Sequence, residues 1–127
     1  MEFVLKNQGG FILEHPFGEL HVASDETKGY RPYQLLVSSV AVCSGGVLQK
    51  ILEKKRFKVE GLKVTAEVKR DPDTANRVTD IHLHFEIQCD VKQEAMDKIL
   101  ELAKKNCAMY QSVKDSIHIT ESFEIVS

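Results

Sequence analysis

Two of the three cysteines lie where they could perform redox chemistry together. Cys43 lies in an apolar segment, and Cys107 lies at the end of a later segment with helical periodicity. A cysteine thiolate attacks the O–O bond of a peroxide and becomes a sulfenic acid, and a second thiol then converts that acid to a disulfide. A dithiol restores both thiols by exchange. The alternative is that both are core residues, since free cysteine is among the most buried residue types, and spacing alone favours this alternative.

The surroundings of Cys43 set the chemistry that the pair would perform. An apolar environment favours organic hydroperoxides over hydrogen peroxide. It also raises the pKa of a thiol, so a nearby cation or hydrogen-bond donor is needed to hold the thiolate. The third cysteine, Cys89, closes the apolar face of a predicted strand and is expected to be structural.

The sequence predicts neither a metal site nor a cofactor. Three cysteines without CxxC spacing fit neither a secreted disulfide framework nor a zinc ribbon. His82 and His84 share the polar face of one predicted strand, but no third ligand lies in register with them. We therefore interpret both histidines as solvated surface residues.

The segment 31–56 predicts a central helix. Pro32 suits the first helical turn, where a backbone N–H has no partner in any case. Residues 35–43 carry no charge and place apolar side chains all round a helical wheel, which predicts a helix buried on all sides. Gly45 and Gly46 each disfavour a helix by about 1 kcal/mol relative to alanine, so we expect a close neighbour there.

The rest of the chain alternates strands with one further helix. Turn signals separate three short strands within residues 2–22, and alternation continues over 62–68, 81–89 and 117–125. Asp90, with Gln93 as its capping-box partner, predicts the start of the second helix. The order βββ-α-ββ-α-β over residues 1–127 predicts one α+β domain with mostly antiparallel sheets. One small sheet cannot cover an entirely apolar helix, so we expect a homodimer.

Composition excludes several classes of protein. The chain has 127 residues and a net charge of -2. Its longest basic run is KKR, so the sequence does not indicate a nucleic-acid partner. Its first residues lack the form of a signal peptide, and no apolar run approaches the ~20 residues of a membrane helix. We therefore expect a cytoplasmic protein without a membrane partner.

Two motifs resemble those of the OsmC/Ohr family, the osmotically induced protein C and organic hydroperoxide resistance proteins. The segment PYQLL begins at Pro32, and Cys43 follows eleven positions after that proline. The segment CAMY begins at Cys107, after the later helix. The resemblance implies an intertwined homodimer with two long helices at its centre. It also implies a peroxidase with Cys43 as the peroxidatic thiol, Cys107 as the resolving thiol, and a dithiol reductant such as a lipoylated protein.

The chain departs from the family motifs beside the first cysteine. Family members have a glutamate one or two positions after the proline, which orients an arginine against the thiolate; here Tyr33 and Gln34 stand there. No arginine precedes Arg31, and Ala108 replaces the family proline. Gln34 and Arg31 are therefore the candidates to assist Cys43. Loss of a charged hydrogen bond of about 1.5–3 kcal/mol would lower the thiolate population roughly ten- to a hundredfold.

Three functions follow from these observations. The first is a thiol peroxidase that reduces small apolar hydroperoxides. The alternative is a catalytically weak or inactive OsmC-like dimer that binds a small molecule or senses redox state. A weaker third possibility is a structural or partner-binding domain whose cysteines never react.

Overall fold

The computed structural model describes residues 1–126 and has two three-stranded sheets and three α-helices. Strands β1, β2 and β3 precede the long helix α1; β4 and β5 follow it, joined by a short 3-10 turn, and α2, α3 and β6 complete the chain. The bounds are Val4–Leu5 (β1), Phe11–His15 (β2), Gly18–Val22 (β3), Pro32–Lys54 (α1), Gly61–Asp71 (β4), Pro72–Thr74 (3-10 turn), Arg77–Gln88 (β5), Gln93–Asn106 (α2), Ala108–Val113 (α3) and His118–Val126 (β6). The predicted α+β class and element order are confirmed, with α3 added.

The chain divides into two compact units, the first ending at Ser38 and the second beginning at Ser39. In the first unit, β1, β2 and β3 form an antiparallel sheet in which Leu13 pairs with Leu20. The division falls within α1. That residues 1–127 form a single domain stays a prediction.

In the second unit, β5 is the central strand of the sheet. It pairs with β4 in antiparallel orientation and with β6 in parallel orientation. The alternation along β5 is that of a sheet with one covered face. Four side chains are almost completely buried, as the sequence predicts: Ile81, Leu83, Phe85 and Ile87.

Helix α1 is packed on one side and exposed on another. Val40, Leu48 and Leu52 are fully buried, whereas 72% of Val42 is exposed. The prediction that the helix is enclosed on all sides is therefore wrong for the single chain, because one sheet covers one side of a helix.

The two glycines of α1 differ in their surroundings. A Cβ atom at Gly45 would lie 3.0 Å from Cγ2 of Val64 in β4, so this glycine allows a close approach of helix and sheet. A Cβ atom at Gly46 would meet no atom within 4 Å, and the predicted close contact there is wrong.

Helix α1 is also longer and more apolar than the run 35–43 indicates. Among the described residues it is the one helix that could cross a membrane by length and composition, with a mean hydropathy of 1.7 over 18 residues. Serines and glycines interrupt the apolar run without adding charge, which explains the difference. Since core helices of soluble proteins share this composition, the absence of a membrane partner stays a prediction.

Helix α2 begins and ends differently from the sequence prediction. It starts at Gln93 after an extended Lys92 with no side-chain cap, so the predicted Asp90–Gln93 capping box is wrong. The chain bends at Cys89 and Asp90, and Val91 is buried before the helix begins. At the other end, Cys107 is extended, with φ -89° and ψ 108°, and the chain turns there into α3. Cys107 therefore lies at a corner between two helices.

Candidate functional site

The structure brings the thiols of Cys43 and Cys107 within hydrogen-bonding reach of each other. Cys43 is half-buried on α1, and Cys107 is completely buried at the corner between α2 and α3. Both are free thiols. The sequence left open whether the two sulfurs meet, because spacing within each helix does not determine how the helices pack.

Backbone N–H groups at the start of α3 lower the pKa of Cys43. The hydrogen bond from Met109 has the largest effect, and partial burial opposes it. The Cys107 thiol and the Ala108 backbone lower the pKa further, and the charge of Lys50 adds the smallest contribution. Hydrogen bonds donated to a thiolate favour the charged form, so the geometry supplies the donors that an apolar environment requires.

The pKa of Cys107 shifts in the opposite direction. Burial raises it, and this outweighs the hydrogen bonds from Ser44 and from the Tyr110 backbone N–H, while the nearby Cys43 raises it further. The Ser44 Oγ lies 3.5 Å from the Cys107 Sγ, and the Tyr110 N–H donates to the same sulfur at 3.4 Å. The pair is therefore asymmetric: the more exposed thiol ionises more readily, and the buried thiol keeps its proton.

Replacing Ser44 with alanine should reduce ionisation of Cys107. The lost hydrogen bond is worth about 0.5–1.5 kcal/mol, which lowers the thiolate population at a given pH by about two- to tenfold. The rate of alkylation against pH, measured in a protein that also carries Cys43→Ser and Cys89→Ser, reports this population. Ser38→Ala, at an exposed position of α1, is the matched control. An unchanged pH profile in Ser44→Ala would show that the hydroxyl does not support the thiolate.

The chain matches a known protein family over most of its length. The family model described as OsmC-like protein matches residues 24–122, most of the chain. This chain belongs to the OsmC-like family. The predicted resemblance is thereby confirmed.

Solved structures share the OsmC-like fold over nearly the whole chain. A hypothetical protein from Aquifex aeolicus VF5 is 26% identical with a TM-score of 0.87, covering 98% of this chain and 93% of that one. An OsmC-like protein from Mycoplasma pneumoniae is 17% identical, also with a TM-score of 0.87, over 99% and 95% of the two chains. The organic hydroperoxide resistance protein OhrB of Bacillus subtilis is 13% identical with a TM-score of 0.70, over 97% and 95%. No curated protein matches the chain.

In this OsmC-like chain, Arg31 and Gln34 form local contacts at the start of α1, in the first unit. The Gln34 side-chain oxygen accepts a hydrogen bond of 3.0 Å from the Arg31 backbone N–H. The Arg31 guanidinium lies over the ring of Tyr33, 5.1 Å from its centre, which is a cation–π distance. Their assistance to Cys43 stays a prediction.

The donors to Cys43 are residues that sequence reasoning missed. Ala108 and Met109 act through backbone N–H groups, which every residue type except proline possesses, so their side chains carry no signal. The available signal was the break after the second helix, since a break there frees backbone N–H groups at the start of the next helix.

The remaining cysteine and the paired histidines lie in other surroundings. Cys89 follows β5 rather than ending its apolar face, and its Sγ lies 3.8 Å from the Asp90 carboxylate. Both ring nitrogens of His82 contact hydroxyls, at 2.6 Å to Thr120 and 2.9 Å to Ser122, and His84 contacts Ser122 at 2.7 Å. Within residues 1–126, no group of three or more His, Cys, Asp or Glu side chains is placed to hold a metal ion.

Proposed function

We propose that this protein is a thiol peroxidase that reduces small organic hydroperoxides through Cys43 and Cys107 and is recycled by a dithiol. The observation that carries this proposal is the pair of free thiols within reach of each other, with the pKa of Cys43 lowered and that of Cys107 raised. At neutral pH this favours Cys43 as the nucleophile. Cys107 then serves as the resolving thiol.

The reaction takes place in three steps. The Cys43 thiolate attacks the distal oxygen of the hydroperoxide, the O–O bond breaks, and the departing alkoxide takes a proton to leave as an alcohol. Cys43 is then a sulfenic acid. The Cys107 sulfur attacks the Cys43 sulfur, a disulfide forms, and the hydroxyl leaves as water. An external dithiol reduces this disulfide by exchange and becomes oxidised itself.

The surface beside Cys43 supports an apolar substrate. Val42 precedes Cys43 and is 72% exposed, and Met109, whose backbone contacts Cys43, is also exposed. An alkyl or aryl group on the hydroperoxide would bury this apolar surface, which contributes roughly 25 cal/mol per Å² removed from water. OhrB of Bacillus subtilis, an organic hydroperoxide resistance protein with the same fold, supports the same substrate class.

The exposed apolar side chains also support a homodimer as the working form. In the second unit Leu102 of α2 is exposed, and in the first unit Leu36 of α1 is exposed as well. A second copy would remove such side chains from water, and symmetric dimers are the commonest oligomers. We propose a cytoplasmic homodimer served by a dithiol reductant such as a lipoylated protein.

The proposal is tested by mixing the reduced protein with one equivalent of cumene hydroperoxide. Intact mass and free-thiol counting should show rapid loss of two thiols as one disulfide, and peptide mapping should assign it to Cys43 and Cys107. Cys89 serves as the internal reference and should stay reduced. Addition of dihydrolipoamide should return both thiols. Thiols that remain unreacted over many minutes would contradict the proposal.

A second candidate function is a binding or redox-sensing protein without turnover. The arrangement of Arg31 and Gln34 favours it, because the guanidinium lies over Tyr33 and the amide oxygen binds a backbone N–H. Such a protein would be oxidised once per thiol pair. Sustained consumption of hydroperoxide with excess dithiol would exclude this candidate and support the peroxidase.

A further inference from the structure

Ser44 places a hydroxyl on the buried side of α1, where its neighbours on the helix are apolar. The residues that follow one another at four-residue spacing along this side are Val40, Ser44, Leu48 and Leu52, and each is at most 3% exposed. An alanine at position 44 would favour the helix more than serine does. It would also bury no hydroxyl, which is unfavourable without a hydrogen bond. Packing alone therefore does not explain a serine here.

The Ser44 hydroxyl contacts the thiol of Cys107. Ser44 Oγ and Cys107 Sγ lie 3.5 Å apart, and both residues are buried. Ser112 of α3 behaves differently, because its hydroxyl donates to the backbone oxygen of Ala108, one turn earlier, at 2.8 Å. Serines within helices commonly bond to their own backbone in this way. Ser44 instead contacts a sulfur from a distant part of the chain.

The Ser44 hydroxyl is the donor in this contact. Cys107 has one thiol proton, and it directs that proton to the Cys43 thiolate. In its other contacts the Cys107 sulfur can therefore only accept. One donor to it is the backbone N–H of Tyr110, at 3.4 Å, and the other is the hydroxyl of Ser44. Two donors thus converge on a completely buried sulfur atom.

We propose that Ser44 is a catalytic residue of the resolving step, in which its hydroxyl donates to Cys107 Sγ and stabilises the negative charge that develops there. This inference rests on the peroxidase proposed above. In the resolving step the Cys107 S–H bond and the S–O bond of the Cys43 sulfenic acid break, and the S–S bond forms. The proton leaves with the hydroxyl as water, the Cys107 sulfur is oxidised, and the Cys43 sulfur is reduced.

The test separates the two chemical steps in protein that carries Cys89→Ser, so that Cys43 and Cys107 are the remaining thiols. After the reduced protein is mixed with one equivalent of cumene hydroperoxide, samples quenched with acid and analysed by intact mass give the rates of sulfenic acid and disulfide formation. Ser44→Ala should leave the first rate unchanged. It should slow the second about two- to tenfold, as expected for loss of a neutral hydrogen bond.

Two further variants control for the change at position 44. Ser44→Thr keeps the hydroxyl and should form the disulfide at nearly the parent rate. Ser112→Ala is the matched control, because it removes a nearby hydroxyl that bonds to the backbone of its own helix, and both rates should stay unchanged. An unchanged second rate in Ser44→Ala, or a rate in Ser44→Thr as low as that in Ser44→Ala, would overturn the proposal.

The pH dependence of the second rate distinguishes a donor from a purely structural role. The groups that face the Cys107 thiol are Cys43, the Ser44 hydroxyl and the Tyr110 N–H. Loss of a donor to the ionised sulfur should move the pH profile upward by up to about one pH unit. The deficit of Ser44→Ala should therefore shrink at high pH, where Cys107 ionises in both proteins. An equal deficit at every pH would show that alanine only displaces the sulfur, and would contradict the proposal.

A measurement without peroxide separates this role from the proposed function. Dithiobis(nitrobenzoate) converts Cys43 to a mixed disulfide and releases one thionitrobenzoate. Cys107 then attacks the Cys43 sulfur, the same protein disulfide forms, a second thionitrobenzoate leaves, and the thiol proton passes to water. A slower second release in Ser44→Ala supports the proposal, and an equal release overturns it. Failure of hydroperoxide to oxidise the parent, with the slower release retained, would count against the peroxidase alone.

Discussion

Replacing Cys43 with serine should reduce hydroperoxide consumption to the rate of buffer alone. A serine hydroxyl is not ionised near neutral pH, so the hydrogen bonds from Met109 and Ala108 would have no thiolate to stabilise. The buried Cys107 cannot replace it, because burial raises its pKa and keeps the thiol protonated. Consumption of cumene hydroperoxide with excess dithiol, followed by peroxide assay, measures the effect.

Cys89→Ser is the matched control for this loss. Cys89 is half-buried, lies after β5 and faces Asp90, so its substitution should leave consumption unchanged. Thermal unfolding of both variants would show that neither change disturbs the fold. If Cys43→Ser consumes hydroperoxide as fast as the parent, the proposed peroxidase is excluded.

Replacing Cys107 with serine should stop the reaction after one turnover. Cys43 keeps its backbone donors and still reacts, but no resolving thiol lies within reach of the sulfenic acid. One equivalent of hydroperoxide should be consumed rapidly, and the Cys43 sulfenic acid should accumulate and react with dimedone. The serine hydroxyl can keep hydrogen bonds to Ser44 and the Tyr110 N–H, so the buried site remains satisfied.

The first turnover and the steady state separate the roles of the two cysteines. Stopped-flow measurement of the first equivalent reports the attack by Cys43, and the steady state with dithiol reports resolution. Turnover of Cys107→Ser at the parent rate would remove Cys107 from the mechanism, since the external thiol would then reduce the sulfenic acid directly. A lost first phase would instead show that Cys107 is needed to activate Cys43.

Local patterns in the sequence predicted much of the fold. Alternation along β5 identified its buried face, because side chains of a strand point to opposite sides with a period of two. The helical periodicity of the segment before Cys107 correctly predicted α2, in which Met96 and Ile99 are buried, because residues on one face of a helix recur with a period of 3.6. The motifs around Cys43 and Cys107 predicted the family, which the comparison confirmed.

The sequence of the last strand contains a signal for a buried carboxyl group. Residues 117, 119, 123 and 125 are apolar, and Glu121 occupies the same phase of the alternation. A charged residue in the inward phase of a strand predicts a buried carboxyl group, which the structure contains. The alternation of apolar residues identified the strand, although Glu121 departs from it.

By itself, the sequence determined the two long helices, the strands, their order and the two cysteines, because periodicity and motifs are properties of neighbouring residues. Tertiary structure alone decided that β6 pairs in parallel with β5, since alternation is the same in either direction along a strand. It also decided that Cys107 lies at a corner where backbone N–H groups of α3 reach Cys43. Those donors belong to the main chain and reach the thiol only through packing, so the opposite pKa shifts of the two thiols arise from the fold.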